Sequence, residues 1–242
     1  MTAVDGKIIG GKEEISADLC KAVGTQTINV IFDCGSRDAL DGINLARRFG
    51  ARELHVFEPN PVAMALCRGN AAASGAGITI TLNEVALGDK QGQVTFRPIN
   101  QERTQTNWAD GNIGASSLFQ AGNDYPYEKY AQDEITVEMT TLDSYCLTHD
   151  KPDMLWIDVQ GAELMLFKGA ETVLPTVKVI QVELSFKLIY EGQPLYWEVD
   201  RYLRSKGFKR RGFGGMPWWR TAIARLRLPL ASTWQANVIY SR

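Results

Sequence analysis

The strongest constraint on the fold is an alternation of buried-strand and amphipathic-helix patterns along most of the chain. INVIFDC (28–34) is apolar until its last residues, as in a parallel strand that is covered on both faces. ALDGINLARRFG (39–50) follows with helical spacing, and ELHVFEP (53–59) begins the next such pair. This alternation predicts a parallel sheet with helices on both faces.

Further segments with strand patterns complete the predicted sheet. They are ITITLNEVAL (78–87), QGQVTFRPI (91–99), EITVEMTTL (134–142), MLWIDVQG (154–161), VKVIQVELSF (177–186), FKRRGFGG (208–215) and WQANVIYSR (234–242). The patterns at 91–99 and 134–142 interrupt the alternation and predict an inserted β-hairpin region. We therefore predict an α/β three-layer sandwich with a seven-stranded, mostly parallel sheet and a terminal antiparallel strand.

The length of 242 residues fits one α/β domain with extensions. We predict an N-terminal extension at 1–27, with a short helix over 11–23, and the main domain at 28–242. Within that domain, a polar inserted loop at about 97–134 and a basic Trp-rich loop at about 214–230 stand out. No apolar run reaches the roughly 20 residues of a membrane span. The first residues also lack a secretory pattern, so we expect a cytoplasmic protein.

Charge is distributed unevenly along the chain. Residues 1–200 carry 16 Lys and Arg against 28 Asp and Glu, whereas residues 201–242 carry 10 Lys and Arg and no acid. Such a basic segment favours contact with an anionic ligand, a membrane surface or a second subunit. It equally favours packing against the acidic body of the same chain.

Asp33, Gly35 and Glu58 predict a pocket for a nucleoside-like ligand. Ligands of open parallel sheets bind beyond the carboxyl ends of the strands, where Gly35 and Glu58 both fall. Gly35 lets the backbone approach a ligand, and Glu58, 23 residues later, can accept hydrogen bonds from ribose hydroxyls. A dinucleotide and S-adenosylmethionine both fit so far. We favour S-adenosylmethionine because the loop lacks GxGxxG and Asp33 suits an ammonium group rather than a pyrophosphate. The alternative is that Asp33 only caps the next helix and Glu58 is an exposed strand end.

Several blocks of the sequence resemble the FkbM-type methyltransferases over about residues 28–213. They are FDCGS (32–36), VFEPNP (56–61), VALGDKQGQVTF (85–96), GASSL (114–118), TTLDSY (140–145), IDVQGAELMLFKGA (157–170) and IQVELS (180–185). The resemblance implies a class I methyltransferase (Rossmann-like) fold, S-adenosylmethionine as donor, and O-methylation of a sugar or polyketide hydroxyl. It also implies that Asp33, Gly35 and Glu58 make the methionine and ribose contacts and that Glu84 or Val85 lies near the adenine. We further expect Ser36, Pro59 and Asp158 to contact the cofactor.

The turn after the first parallel strand departs from that family pattern. Ala39 stands where such enzymes often have a further glycine, and Arg37 and Asp38 replace a commoner pair of small polar residues. The departure puts the path of this loop in doubt rather than the binding of the cofactor.

Three acids are candidates for catalysis. Methyl transfer to a hydroxyl needs a positioned acceptor and removal of its proton, so a base or a metal ion is expected. Asp158 and Glu183 end adjacent predicted strands, and Glu163 begins the helix that follows Asp158. We expect Asp158 to act as the base; alternatively, Asp158 and Glu183 bind Mg²⁺. A purely structural alternative is that Glu163 caps its own helix and Asp158 orients it.

The two long loops are expected to bind the acceptor. The candidate residues are Ser116, Ser117 and Tyr125 in the first loop and Trp218, Trp219, Arg220, Arg225 and Arg227 in the second. The second loop can instead lie on a membrane surface or form a dimer contact. After the fourth parallel strand the chain reads Asp158-Val-Gln-Gly161, without the Pro-Pro-aromatic motif of enzymes that methylate nucleobases, so no nucleic acid partner is expected.

The leading hypothesis is an S-adenosylmethionine-dependent O-methyltransferase that acts on a sugar or glycan hydroxyl. A lipid-linked or polyketide-type small-molecule hydroxyl is the alternative acceptor. The rival functions are a nicotinamide oxidoreductase and a non-catalytic S-adenosylmethionine-binding partner subunit. The missing GxGxxG argues against the first rival, and the pair formed by Asp158 and Glu183 argues against the second.

Overall fold

The computed structural model describes residues 2–4, 7–9, 15–214 and 233–242. The strands are β1 (Thr2–Val4), β2 (Lys7–Ile9), β3 (Val30–Cys34), β4 (Glu53–Phe57), β5 (Thr79–Asn83), β6 (Ala86–Leu87), β7 (Gly92–Phe96), β8 (Ile135–Thr140), β9 (Met154–Ile157), β10 (Val179–Ser185), β11 (Lys209–Phe213) and β12 (Gln235–Ser241). The helices are α1 (Ala17–Val23), α2 (Leu40–Phe49), α3 (Pro61–Ala73), α4 (Leu142–Tyr145), α5 (Glu163–Lys168) and α6 (Tyr196–Ser205).

The main sheet has seven strands in the order β11-β12-β10-β9-β3-β4-β5. β3, β4, β5, β9 and β10 pair in parallel, and β12 is antiparallel to both of its neighbours. This confirms the predicted mostly parallel sheet with a terminal antiparallel strand. The order reverses at β3, which lies between β4 and β9. The carboxyl ends of β3 and β9 therefore border the crevice where such sheets bind ligands.

Helices cover both faces of the sheet, because alternate strand residues point to opposite sides. Phe32 of β3 belongs to the core under α4, α5 and α6, which also contains Leu166 and Leu203. Ile31 packs in the core under α1, α2 and α3. Leu19 of α1 is fully buried in that second core, so the end of the predicted N-terminal extension packs directly on the sheet. The result is the predicted three-layer sandwich.

The predicted third strand over 78–87 does not continue as one strand. β5 ends at Asn83, and β6 joins a separate three-stranded sheet in the order β6-β8-β7. The main-chain carbonyl of Asn83 accepts the N–H of Glu58 (3.1 Å), and the Asn83 side chain donates to the carbonyl of Val56 (3.1 Å). These bonds hold Asn83 against the end of β4, and the chain then leaves the main sheet.

β7 and β8 form the predicted inserted hairpin, and the segment between them folds back on itself. Isolated bridges join Arg97 to Ser117, Ile99 to Gln132 and Gln105 to Lys129, and Ala121 to Tyr190 after β10. We call residues 97–134 the insert. Its bridges place it over the carboxyl end of the sheet. In the part of the chain that the structure describes, no helix is long and apolar enough to cross a membrane.

Candidate active site

Two adjoining cavities lie between the carboxyl edge of the sheet and the insert. The first, here called the apolar cavity, spans about 480 Å³, part of it open to solvent, and is lined by Phe57, Glu58, Pro59, Val85, Ala86, Leu87, Phe96, Ile113, Ser116, Leu118, Val159 and Ala162. The second, the acidic cavity, spans about 1060 Å³, also partly open to solvent, and its walls include Asp33, Ser36, Arg37, Asp38, Asp41, Trp108, Tyr125, Glu128, Tyr130, Gln160, Glu183, Gln235 and Asn237. Gly35, Gly114 and Asp158 line both. The two cavities therefore form one cleft.

Gly35 brings three strand ends together at the centre of this cleft. Its φ is +79°, and a Cβ atom there would lie 1.9 Å from the main-chain oxygen of Asp158. The N–H of Gly35 donates to the carbonyl of Phe57 (2.9 Å), so the turns after β3, β4 and β9 are in contact. Only glycine fits this position, because any side chain would be both strained and in collision.

Glu58 follows β4 and is buried in the wall of the apolar cavity. The main-chain N–H groups of Asn60 and Arg37 donate to its two carboxyl oxygens (2.8 and 3.0 Å). Burial raises the pKa of Glu58 to about 7, although both hydrogen bonds act in the opposite direction. Each oxygen retains a second lone pair, so the group can also accept hydrogen bonds from vicinal hydroxyls of a ligand.

Asp33 ends β3 in a fully buried position on the acidic cavity. Its Oδ2 accepts the hydroxyl of Ser36, and its Oδ1 has no hydrogen-bond partner among the described residues. Burial and, to a smaller extent, the nearby Asp41 and Asp38 carboxylates raise the pKa of Asp33 to about 8, although the hydrogen bond from Ser36 acts in the opposite direction. A buried acceptor without a partner is costly. A cationic donor from a ligand would provide both the missing bond and the missing charge.

The turn between Gly35 and α2 contains two non-glycine residues in a left-handed backbone conformation, which a glycine would adopt with less strain. Arg37 and Ala39 both have positive φ values, 55° and 66°. Ala39 precedes α2 in a left-handed conformation and donates its N–H to Ser36 Oγ (3.1 Å). The turn is therefore closed by Ser36, with strain at Ala39 that glycine would not have.

Asp158 and Glu183 lie side by side, because Ile157 of β9 pairs with Val182 of β10 and each acid is the next residue. Both line the acidic cavity. The Gln160 side chain donates to Asp158 Oδ1 (2.6 Å), and the Gln235 side chain donates to Glu183 Oε2 (2.9 Å). Two oriented carboxylates therefore face the space next to the turn at Gly35, between β3 and α2.

Glu163, the third catalytic candidate, does not line either cavity. Its side chain is buried, and Oε1 accepts the main-chain N–H of Gly161 (3.0 Å). Burial raises the pKa of Glu163 to about 7. The geometry matches the structural alternative, in which Glu163 closes the turn that leads into α5.

The two candidates after β5 differ in position. Val85 lines the apolar cavity, as does Pro59. Glu84 is exposed and forms an ion pair with Arg68 of α3, outside the cleft. The chain turns away from the sheet between these neighbours, so of the two only Val85 faces the cleft.

Residues of the insert occupy different places around the cleft. Ser116 lines the apolar cavity and accepts a hydrogen bond from the Asn60 side chain (3.1 Å), and Tyr125 lines the acidic cavity. Ser117 is fully buried and donates to the carbonyl of Gln160 (2.6 Å), so it fastens the insert to the turn after β9. Trp218, Trp219, Arg220, Arg225 and Arg227, and most of the predicted loop at 214–230, lie outside the described residues.

Several cavity residues were not predicted from the sequence. Glu128 accepts hydrogen bonds from Thr106, Tyr130 and Asn112, the last at 2.8 Å, and presents a fixed carboxylate to the acidic cavity. The rings of Tyr125 and Tyr130 stack beside it, with centroids 5.8 Å apart. Aromatic rings next to fixed hydrogen-bond acceptors suit a polyhydroxylated ligand. No local periodicity in the sequence marks Glu128 or Tyr130, whereas Tyr125 was among the predicted residues.

A metal site was the alternative role for Asp158 and Glu183. Within the ranges that the structure describes, no group of three or more His, Cys, Asp or Glu side chains is arranged to hold a metal ion. The described part of the cleft thus offers two neighbouring carboxylates rather than a full set of protein ligands.

Comparison with known proteins adds to this geometry. The chain is 32% identical over 167 residues to the "2-O-methyltransferase NoeI" of Sinorhizobium fredii; the alignment covers 68% of this chain and 66% of that protein, just under two thirds of its length. Similar solved structures include precorrin-6y C5,15-methyltransferase from Geobacter metallireducens GS-15 (TM-score 0.46, 12% identity, 92% of this chain and 84% of that chain). Another is TrmK from M. capricolum with S-adenosyl-homocysteine (TM-score 0.44, 8% identity, 94% and 68%). These low TM-scores add nothing to what the strand order shows.

The family comparison covers most of the chain and includes the residues that build the cleft. Residues 33–210 match the family described as "Methyltransferase FkbM domain". The match begins at Asp33 and ends at Arg210, within β11. The strand order and the blocks around Gly35, Glu58 and Asp158 agree with that assignment. The chain therefore belongs to the FkbM methyltransferase domain family.

Proposed function

We propose that this chain transfers the methyl group of S-adenosylmethionine to a hydroxyl group of a sugar or glycan. The observation that carries the proposal is the single cleft in which Glu58 lines an apolar cavity and the unpartnered carboxyl oxygen of Asp33 belongs to an acidic one. Family membership supports methyl transfer, and the name of the relative, a 2-O-methyltransferase, supports a hydroxyl acceptor.

The residues of the cleft fit the proposed cofactor. Val85 and the other apolar residues of the first cavity suit a purine, and Glu58 suits the ribose hydroxyls. Asp33 suits the ammonium group of the methionine part. When bound, S-adenosylmethionine supplies an electrophilic methyl group on a sulfonium that leaves as a neutral thioether. A pyrophosphate carries no cation that could pair with the buried Asp33, and it would lie in a cavity lined by further acids such as Asp38 and Asp41, so a dinucleotide fits less well.

Asp158 is the proposed base. It lies where the two cavities meet, and the hydrogen bond from Gln160 orients its carboxylate. As the acceptor oxygen bonds to the methyl carbon, Asp158 accepts the proton that the hydroxyl loses. Glu183 beside it would hold the acceptor or stabilise the protonated Asp158. Glu128, Tyr125 and Tyr130 form the opposite wall and would contact the acceptor.

Two measurements test the proposal. Calorimetry should show that S-adenosylmethionine binds and NAD does not; the reverse would indicate an oxidoreductase. A screen with a labelled methyl donor over sugar nucleotides and oligosaccharides should then identify a labelled product. Transfer to lipid-linked or polyketide hydroxyls alone would correct the acceptor class. Tight cofactor binding without transfer to any hydroxyl would indicate a non-catalytic binding subunit.

A further inference from the structure

Arg37 connects the turn between β3 and α2 to the insert. Its main-chain N–H donates to Glu58 (3.0 Å), two residues after Gly35. Its guanidinium pairs with Asp110 and lies over the Trp108 ring, with 4.8 Å between Cζ and the ring centroid. A cation held on one side by a carboxylate and on another by an aromatic face has little freedom to move.

One donor of this guanidinium is left without a bond. Arg37 Nε is buried and has no hydrogen-bond partner among the described residues, and neither has Asp33 Oδ1. Both side chains belong to the wall of the acidic cavity. The two unpaired atoms have opposite character, because one is a cationic donor and the other is a carboxyl acceptor. Together they match a zwitterionic α-amino acid group, which carries an anion and a cation on one carbon atom.

We propose that Arg37 binds the carboxylate of the amino-acid end of S-adenosylmethionine. This inference rests on the proposed function, and it adds the residue that distinguishes the intact cofactor from a form without that carboxylate. Asp33 takes the ammonium group on the other side. An arginine suits the task because its Nε–H can form a charge-assisted bond while another nitrogen remains paired with Asp110.

The insert holds Arg37 in the required position. A Cβ atom at Gly114 would lie 2.9 Å from Arg37 Cδ, so the glycine lets the stem of the side chain pass close to the insert backbone. Asp110 and Trp108 come from the same segment. A competing explanation follows from these contacts: Arg37 could only fasten the insert to the turn. In that case the loss of Arg37 would lower the affinity for every ligand of the cleft to the same extent.

The two explanations are separated by calorimetry with three probes: S-adenosylmethionine, decarboxylated S-adenosylmethionine and 5′-methylthioadenosine. We expect Arg37→Met to lower the affinity for S-adenosylmethionine by about tenfold or more, because a charge-assisted hydrogen bond is lost. Decarboxylated S-adenosylmethionine carries one more positive charge, so removal of the arginine should leave its affinity unchanged or slightly higher. Equal losses for both cofactors would overturn the inference in favour of the fastening role.

Two variants serve as controls. Asp110→Asn removes the ion pair but keeps Arg37 Nε, so the preference for S-adenosylmethionine over its decarboxylated form should survive. Asp33→Asn should lower the affinity for S-adenosylmethionine and for its decarboxylated form. It should leave the affinity for 5′-methylthioadenosine unchanged, because that probe has no ammonium group. If Arg37→Met fails to fold, Arg37→Gln, which also lacks the positive charge, takes its place in the same comparison. A wild-type protein that binds 5′-methylthioadenosine but not S-adenosylmethionine would reject both this inference and the proposed function. If only this inference is wrong, the wild-type protein still binds S-adenosylmethionine.

Discussion

Asp158 and Glu163 lie five residues apart, and their carboxyl groups have different surroundings. Asp158 lines both cavities and is oriented by the Gln160 amide. Glu163 is buried against the backbone of its own turn at Gly161. A base must reach the acceptor proton, directly or through one water molecule. Position in the cleft, rather than the type of side chain, is therefore the reason why we propose Asp158 as the base and a structural role for Glu163.

Substitution of these two acids tests that division. Asp158→Asn should lower kcat by about 10²–10⁴-fold, the usual contribution of a general base, with the affinity for S-adenosylmethionine changed little. Glu163→Gln keeps an acceptor for the Gly161 N–H, so its kcat should stay near the wild-type value. Steady-state kinetics and calorimetry measure both effects. Unchanged turnover in Asp158→Asn would remove the base assignment.

The pair formed by Asp158 and Glu183 also provides a test of metal dependence. If Asp158 acts as a base with Glu183 beside it, EDTA should leave the rate unchanged. If the pair instead binds Mg²⁺, EDTA should abolish activity and added Mg²⁺ should restore it, because the metal would then acidify the hydroxyl. Initial rates with and without the chelator, at constant ionic strength, distinguish these roles.

At the scale of elements, the cleft depends on how closely the turns after β3 and β9 approach each other. We expect Gly35→Ala to destabilise the fold by more than about 3 kcal/mol, because the new Cβ would lie 1.9 Å from Asp158 O. Gly50→Ala is a matched control: its φ is +70°, and no atom lies within 4 Å of the added Cβ. It should cost only about 1 kcal/mol. Urea unfolding measures both, and equal costs would show that the approach is not tight.

Strands and strand-end acids could be predicted because their signals are local. Burial on both faces marks β3, β9 and β10 as apolar runs, and parallel pairing then places Asp33, Asp158 and Glu183 at one edge. The break after β5 could not be predicted, since alternating residues continue from 78 to 87 while the chain changes sheets at Asn83. That change is what separates Val85 from Glu84.

Other site residues depend on contacts between distant parts of the chain. Glu128 reaches the cavity because the insert folds back through the bridge between Gln105 and Lys129. Gln235 reaches Glu183 because β12 runs antiparallel to β10 and begins opposite Ser185. Neither the fold-back nor the register is encoded in a window of neighbouring residues. The sequence therefore predicted the sheet side of the cleft and only part of the opposite wall.

At the scale of the whole molecule, the buried acids couple stability to pH. Burial raises the pKa of Asp33 to about 8, against 3.8 for an ordinary aspartate. The folded protein thus keeps a proton that the unfolded chain releases above about pH 4. The stability that this proton provides is fully present below that pH. It is lost progressively as the pH rises to about 8. Glu58 and Glu163, each with a pKa of about 7, act in the same direction.

Asp33→Asn isolates this effect from all other titrating groups. Asparagine carries no charge at any pH, so the melting temperature of the variant minus that of the wild type should increase from pH 5 to pH 8.5. A chain of this size changes by about 2–4 °C for each kcal/mol, which makes a shift of several degrees measurable by calorimetric scanning. A bound ammonium group would stabilise the ionised Asp33, so S-adenosylmethionine should raise the melting temperature of the wild type more than that of Asp33→Asn at pH 8. A difference that is flat with pH would mean that Asp33 is ionised without penalty, and the ammonium role proposed for it would lose its physical basis.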